Sequence, residues 1–231
     1  MNLIKEQKAI GAITILSGLL AFACMVASLI AVNFNFDALS DPMLILSTAG
    51  TNTAVAKWSM IFDMFGYYLL LLPIIYLLHD WMKDRSAWAN LVTFCGIAYV
   101  LIGSIGASIL AVVWPKLINA YHLANETEQQ ILKANFSLIN DVVYGGLWNL
   151  LEMTFAATWW IFTGYQLRKN NFYYIGWLTM LTGISCLGDA LAGILQAGWL
   201  HEASLNIYLA LAIIWAISIG IFMMSKKLNK A

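Results

Sequence analysis

Charge is what this sequence has least of. Only 10% of its 231 residues are Asp, Glu, Lys or Arg, while 61% are hydrophobic. Soluble domains carry about 25% charged residues, so a soluble fold is excluded for most of the chain, and its solvent is lipid. Net charge is zero. With no basic tract, glycine-rich phosphate loop or RNA-binding signature, nucleic acid is not an expected partner. Cysteine is scarce. Cys24, Cys95 and Cys186 all fall inside apolar segments, where a thiol behaves as a small apolar residue, and no disulfide or metal framework is suggested. Histidine is limited to His79, His122 and His201, at segment ends or in loops. With no HExxH and no GxSxG pattern, zinc and serine hydrolase chemistry lack a motif. The sequence names no cofactor.

What is present is a set of long apolar runs. Six of them can cross a bilayer as helices, which takes about 20 residues each. They cover about 9–31, 57–78, 88–113, 144–167, 172–197 and 204–224. The runs are continuous rather than alternating, which argues against strands. The expected fold is therefore all-α: one polytopic domain of six transmembrane helices over residues 1–231. Leu20 to Cys24 brushes against a lipoprotein cleavage pattern, but the run is too long and Ala21 replaces the usual leucine, so the first span reads as a retained anchor.

Basic residues set the orientation. Lys5, Lys8, Lys83, Arg85, Arg168, Lys169, Lys226, Lys227 and Lys230 fall on one side, and Lys57, Lys116 and Lys133 on the other. This split puts both termini in the cytoplasm. In the outer loops, Asp41-Pro42 reads as a helix cap followed by a first-turn proline. Asn125 to Glu128 reads as a capping box opening an amphipathic helix over 126–140 that carries Ile131, Leu132, Phe136, Leu138 and Ile139. Trp58, Trp114, Trp148 and Trp199 are expected as outer interface anchors, with Trp81, Trp88 and Trp177 at the inner one. Trp215 falls in the middle of span six instead.

The most informative residues are three acids inside apolar spans: Asp63, Glu152 and Asp189. A charge at mid-membrane costs about 2.5–3.5 kcal/mol on insertion scales. Counting about 1.5 Å per residue, all three lie roughly 9–12 Å below the outer interface, on spans two, four and five. Thr182, Ser185, Gly193 and Gln196 share the face of Asp189 at helical spacing. Tyr144, Trp148 and Asn149 accompany Glu152, and Tyr67 accompanies Asp63. Gly96, Gly103, Ser104 and Ala107 on span three permit close packing or a cavity wall. No base lies within the membrane to pair with the acids, and three acids in low dielectric without bases do not all ionise. Shared protons, a bound cation or a cationic ligand are the options. His201-Glu202 at the outer mouth adds a metal with Asp189 as a further one.

Trp58 to Gly106 and Asp141 to Leu195 together resemble a family of bacterial six-helix membrane proteins known only as a domain of unknown function. The likeness rests on Asp63, the Tyr144-Gly145 pair, and Leu181-Thr-Gly-Ile-Ser-Cys-Leu-Gly-Asp189. The resemblance implies a stand-alone six-helix bundle in a bacterial cytoplasmic (inner) membrane, with aspartates in helices two and five. The family's members often carry a basic residue in helix three, and Thr93 to Ser104 has none. The resemblance supplies no activity.

The leading expectation is a transporter-like or ligand-binding membrane protein that takes a cation, proton or small amphipathic molecule. Asp63, Glu152 and Asp189 would bind charge, and Tyr67, Trp148 and Asn149 would shape the pocket. The alternative is a non-catalytic accessory subunit of a membrane complex. Between the two lies a substrate-binding subunit of a transport complex, docking through Ala23, Ala27 and Ala31 on span one. A membrane enzyme, an intramembrane aspartyl hydrolase or a lipid hydrolase for instance, ranks last.

Overall fold

A computed structural model describes residues 3–40 and 42–225. Asp41, expected as a cap, and Lys226, Lys227 and Lys230, used for orientation, lie outside the described residues. The described residues form helices and no strands. Helix α1 (Leu3–Ala31) leads into two short helices, α2 (Asp37–Ser40) and α3 (Pro42–Thr48). A second rod runs from Thr53 to Met82 as α4 (Thr53–Asp63), a π-helical turn (Met64–Tyr68), a 3-10 turn (Leu69–Leu71) and α5 (Leu72–Met82). Then come α6 (Ala89–Leu123), α7 (Glu126–Asn140), a π-helical segment (Asp141–Glu152) continuing into α8 (Met153–Lys169), α9 (Tyr173–Leu195) and α10 (Gly198–Ser225).

Five helices are long and apolar enough to span a membrane: Lys5–Ala31, Thr53–Met82, Ala89–Leu123, Tyr173–Leu195 and Gly198–Ser225. The segment expected as a further span, 144–167, is instead divided at Glu152 between π-helix and a 17-residue α8. The expectation for 88–113 falls short for a different reason. Helix α6 carries Pro115 in its interior and continues for 35 residues, about 52 Å at 1.5 Å per residue. That exceeds a hydrocarbon core of about 30 Å, and residues 114–123, expected beyond the end of the span, are helix.

Each rod packs on its neighbour in sequence, and α10 returns to α1, closing a ring. Small residues set the spacing. A Cβ on Gly11 would stand 2.7 Å from the Gly220 carbonyl oxygen, and one on Gly66 would stand 2.3 Å from the Ala21 backbone nitrogen. Close backbone approach of this kind is what small residues permit in membrane bundles. The interior holds Tyr67, Tyr68, Tyr99, Tyr208, Trp159, Trp160 and Trp215, all buried. A second core, with Ile45, Leu46, Trp114, Ile118, Phe136 and Trp148, lies where α3 and α7 close one end.

Helix α7 opens with the capping box: Asn125 Oδ1 accepts from the Glu128 N–H at 3.0 Å, and the Asn125 N–H donates to Glu128 Oε2 at 3.1 Å. Of its apolar residues Phe136 is fully buried, while Ile131 and Leu138 are exposed. Three of the expected interface anchors are buried inside the protein. Trp114 stacks between Phe136 and Tyr144 and donates to Asn140 Oδ1. Trp148 donates to the Gly103 carbonyl. Trp81 is likewise buried, against Phe172. Indoles whose N–H finds a protein acceptor lose the reason to sit in the headgroup region. The docking stripe is also corrected, because Ala27 and Ala31 face the interior and are buried.

The close approach at Gly66 yields a stability test. Gly66→Ala places a methyl against backbone that cannot rotate away, costing about 1–3 kcal/mol as overpacking does. Gly145→Ala, whose Cβ meets nothing within 4 Å, leaves the melting temperature in detergent close to that of the parent. Equal melting of both variants would contradict the packing described.

Candidate functional site

The three acids sit on different pieces of helix. Asp63 ends α4, immediately before the π turn, and Glu152 ends the π segment immediately before α8. Asp189 lies within α9. Glu152 and Asp189 are fully buried and Asp63 is 8% exposed. Each has one oxygen partnered. The Cys24 thiol donates to Asp63 Oδ1 at 3.9 Å, the Tyr68 hydroxyl donates to Glu152 Oε2 at 3.1 Å, and His201 Nδ1 lies 2.5 Å from Asp189 Oδ1. Each also has one buried oxygen, Asp63 Oδ2, Glu152 Oε1 and Asp189 Oδ2, without a hydrogen-bond partner in the protein. Buried polar atoms are normally bonded, so three such oxygens on three acids are unusual.

Glu152 is the centre of the set, with both Asp63 and Asp189 in electrostatic reach. Tyr68 lies in reach of both Glu152 and Asp63, and Cys186 in reach of both Glu152 and Asp189. Hydrogen bonds pair Cys24 with Asp63, Tyr68 with Glu152 and His201 with Asp189. Among the described residues no lysine or arginine is paired with any of these acids; the ion pairs are Lys83–Asp80 and His201–Asp189.

The other expected site residues fall into different places. Tyr67 turns its hydroxyl to the Leu209 carbonyl at 3.3 Å, and its neighbour Tyr68 is the one bonded to an acid, Glu152 rather than Asp63. Both tyrosines lie in the π turn that follows Asp63. Nothing in the residue pattern marks that turn. Trp148 is locked to α6 by its bond to the Gly103 carbonyl, its ring against Gly106, and forms a wall. Asn149 lines a groove of about 410 Å³ together with Gly145, Leu150, Gly193, Gln196 and His201. Gly145 and Gly193 leave it open, since a Cβ on either meets nothing within 4 Å. His201, about a third exposed, therefore stands between the groove and buried Asp189. Cys24 and Tyr68 are site residues that the sequence did not single out for the acids, since thiol and phenol look ordinary in an apolar helix; His201, named there with Asp189, does meet it.

No group of three or more His, Cys, Asp or Glu side chains able to hold a metal occurs among the described residues. No protein-family model, curated protein or solved structure matches this chain. The chemistry rests on the geometry alone: three carboxyl groups, a thiol and a phenol that donate to two of them, and one imidazole at a groove.

The half-satisfied pairs define a measurable coupling. His201→Ala leaves Asp189 Oδ1 buried without its partner, and such orphaning costs about 1–3 kcal/mol. The double variant His201→Ala/Asp189→Leu is expected to lose less than the sum of its single variants, read from melting curves in one detergent. Strict additivity would show that the two side chains do not interact.

Proposed function

We propose that this is a transporter-like membrane protein that binds a proton or a small monovalent cation in the layer formed by Asp63, Glu152 and Asp189. The observation that carries this is the three buried carboxylate oxygens with no protein partner, and no lysine or arginine among the described residues paired with these acids. Ionised together in low dielectric, they would repel one another and remain desolvated. A proton on an acid removes the charge, and a cation held among the free oxygens balances it.

In this reading the composite rod Asp141–Lys169 is a sixth crossing, the backbone staying helical through Glu152 and Met153. The excess of Lys5, Lys8, Lys83, Arg85, Arg168 and Lys169 on one side then sets both termini in the cytoplasm. The acid layer lies in the outer half, and a bacterial inner membrane fits that topology and the resemblance to the six-helix family. The groove at Asn149 and His201 is the approach to the layer, and its volume falls in the range of small-molecule sites, so an amphipathic cation is accommodated too. A second reading, an accessory subunit, is favoured by exposed Leu123, Ile131 and Leu138 on the α6–α7 hairpin. A stoichiometric partner co-purifying from native membranes would support it.

The test is a stability screen of purified protein against pH and against sodium, potassium and alkylammonium salts. A ligand at a hundredfold over its dissociation constant stabilises by about 2.7 kcal/mol. We expect the wild type to respond to at least one condition, and Glu152→Gln, placed at the centre, to lose most of that response. If Asp63→Asn, Glu152→Gln and Asp189→Asn all respond as the wild type does, the acid layer is not the binding site.

A further inference from the structure

A second polar feature runs away from the acid layer toward the opposite end of the bundle, where α8 turns into α9. On the fourth rod, Glu152, Trp159, Thr163 and Gln166 follow at helical spacing on one face, with Trp160 beside them. All five are buried. Trp159 Nε1, Trp160 Nε1, Thr163 Oγ1 and Gln166 Oε1 have no hydrogen-bond partner in the protein. The face covers about 21 Å of helix. On α9, running antiparallel beside it, Asp189, Ser185, Thr182 and Thr179 form a matching buried face.

The two faces look inward together. Between the two helices the contact line is made by glycines: Gly164 against Met180 and Gly176, Gly183 against Trp160 and Ile161. On the far side α9 exposes Leu181, Ile184 and Leu187. The polar groups occupy the opposite, interior side, closed by Trp215, whose ring lies 4.3 Å from that of Trp160 and whose N–H donates to Thr179 Oγ1 at 2.8 Å.

Hydroxyls that serve only to clamp helices bond to the neighbouring helix. Here Thr182 and Ser185 donate only to carbonyls of their own helix, at Leu178 and Thr182, while Thr179 donates to Ile175 and accepts from Trp215. Their oxygens keep acceptor capacity toward the interior. Trp160 brings a free indole donor beside Trp215, and the Trp159 indole N–H, also free, lies on the side of Gly96 of α6. Donors on one wall and acceptors on the other suit bridging water, which takes two to four polar partners per molecule.

We infer that this seam holds hydrogen-bonded water and is the proton path between the acid layer and the short α8–α9 turn. The inference rests on the reading of the acid layer as a proton site, and adds that the proton crosses rather than only binds. In the step itself the O–H bond of a protonated Glu152 breaks as a seam water gains that proton and passes one of its own to the next. No electron is transferred, and the carboxylate is reloaded from the Asp189–His201 side.

The experiment uses full-length protein in vesicles of neutral lipid enclosing a pH-reporting dye, with a potassium gradient and valinomycin driving proton movement. Wild type is expected to move protons and Glu152→Gln to stop. Thr163→Val and Gln166→Leu are expected to slow the flux by about tenfold, the rate equivalent of one lost hydrogen bond, while their pH-dependent stability response stays that of the wild type. In parallel, indole N–H exchange in heavy water is followed by nitrogen-labelled tryptophan NMR on the wild type, with Trp159→Phe and Trp160→Phe assigning the signals. Exchange within minutes supports a wet seam. No flux in wild type, unchanged flux in both seam variants, or indole protons retained for days would overturn the path while leaving acid-layer binding standing. Loss of the pH and cation response in wild type would instead overturn the acid-layer reading itself.

Discussion

The constraint on which the structure turns is that a carboxyl group in a lipid-embedded interior must find hydrogen-bond partners without water. Three acids meet it in the same half-complete way. The partners come from elsewhere in the ring: Cys24 on α1 for Asp63, Tyr68 on the second rod for Glu152, His201 on α10 for Asp189. These contacts join the first rod to the second, the second to the fourth, and α9 to α10. The long helix α6 contributes space rather than partners, because Gly103 and Gly106 leave room for the Tyr68 and Trp148 rings.

The π turn after Asp63 is tied to the same constraint. Widening a helix disturbs its backbone hydrogen bonding, and a carbonyl left short of a donor in lipid has to be satisfied by the protein. Within this turn the Gly66 carbonyl accepts from the Ser17 hydroxyl of α1, and the Tyr67 carbonyl accepts from the Tyr99 hydroxyl of α6 at 2.6 Å. Tyr99 also meets the Tyr208 hydroxyl at 3.0 Å. The turn that redirects Tyr68 onto Glu152 is thus held from both sides, and Gly66 lets α1 come close enough to do so. Wide helical turns recur at functional sites, and here the two π segments border two of the three acids.

Much of the fold was legible because lipid leaves a coarse imprint: continuous apolar runs, a scarcity of charge, and the capping box that opens α7. The misread features share one cause, a dependence on partners distant in sequence. Trp114 and Trp148 look like interface anchors until Asn140 and the Gly103 carbonyl supply their acceptors. Ala27 and Ala31 look like a docking stripe until the ring closes around them. The run 88–113 reads as a whole span, whereas its helix continues to Leu123. Of the candidate site, the acids were legible, since burying them is costly wherever they sit. Of their partners only His201 was, because Cys24 and Tyr68 reach their acids from other rods and nothing in composition marks them.

The identity of those partners narrows what the acid layer does. A layer serving only to hold helices together would be better built from apolar side chains of similar size, since buried ionisable groups seldom outperform them, or from acids with every oxygen bonded. A layer permanently neutralised would contain lysine or arginine. This one has neither. A thiol and a phenol each donate a proton without bringing a positive charge, and an imidazole, the side chain best suited to exchange protons near neutral pH, stands where the layer meets the groove. One oxygen of each acid is left over. Spare acceptors, neutral donors and an ion-pairing base at the mouth are the ground of the proposal that a proton or small cation completes the arrangement.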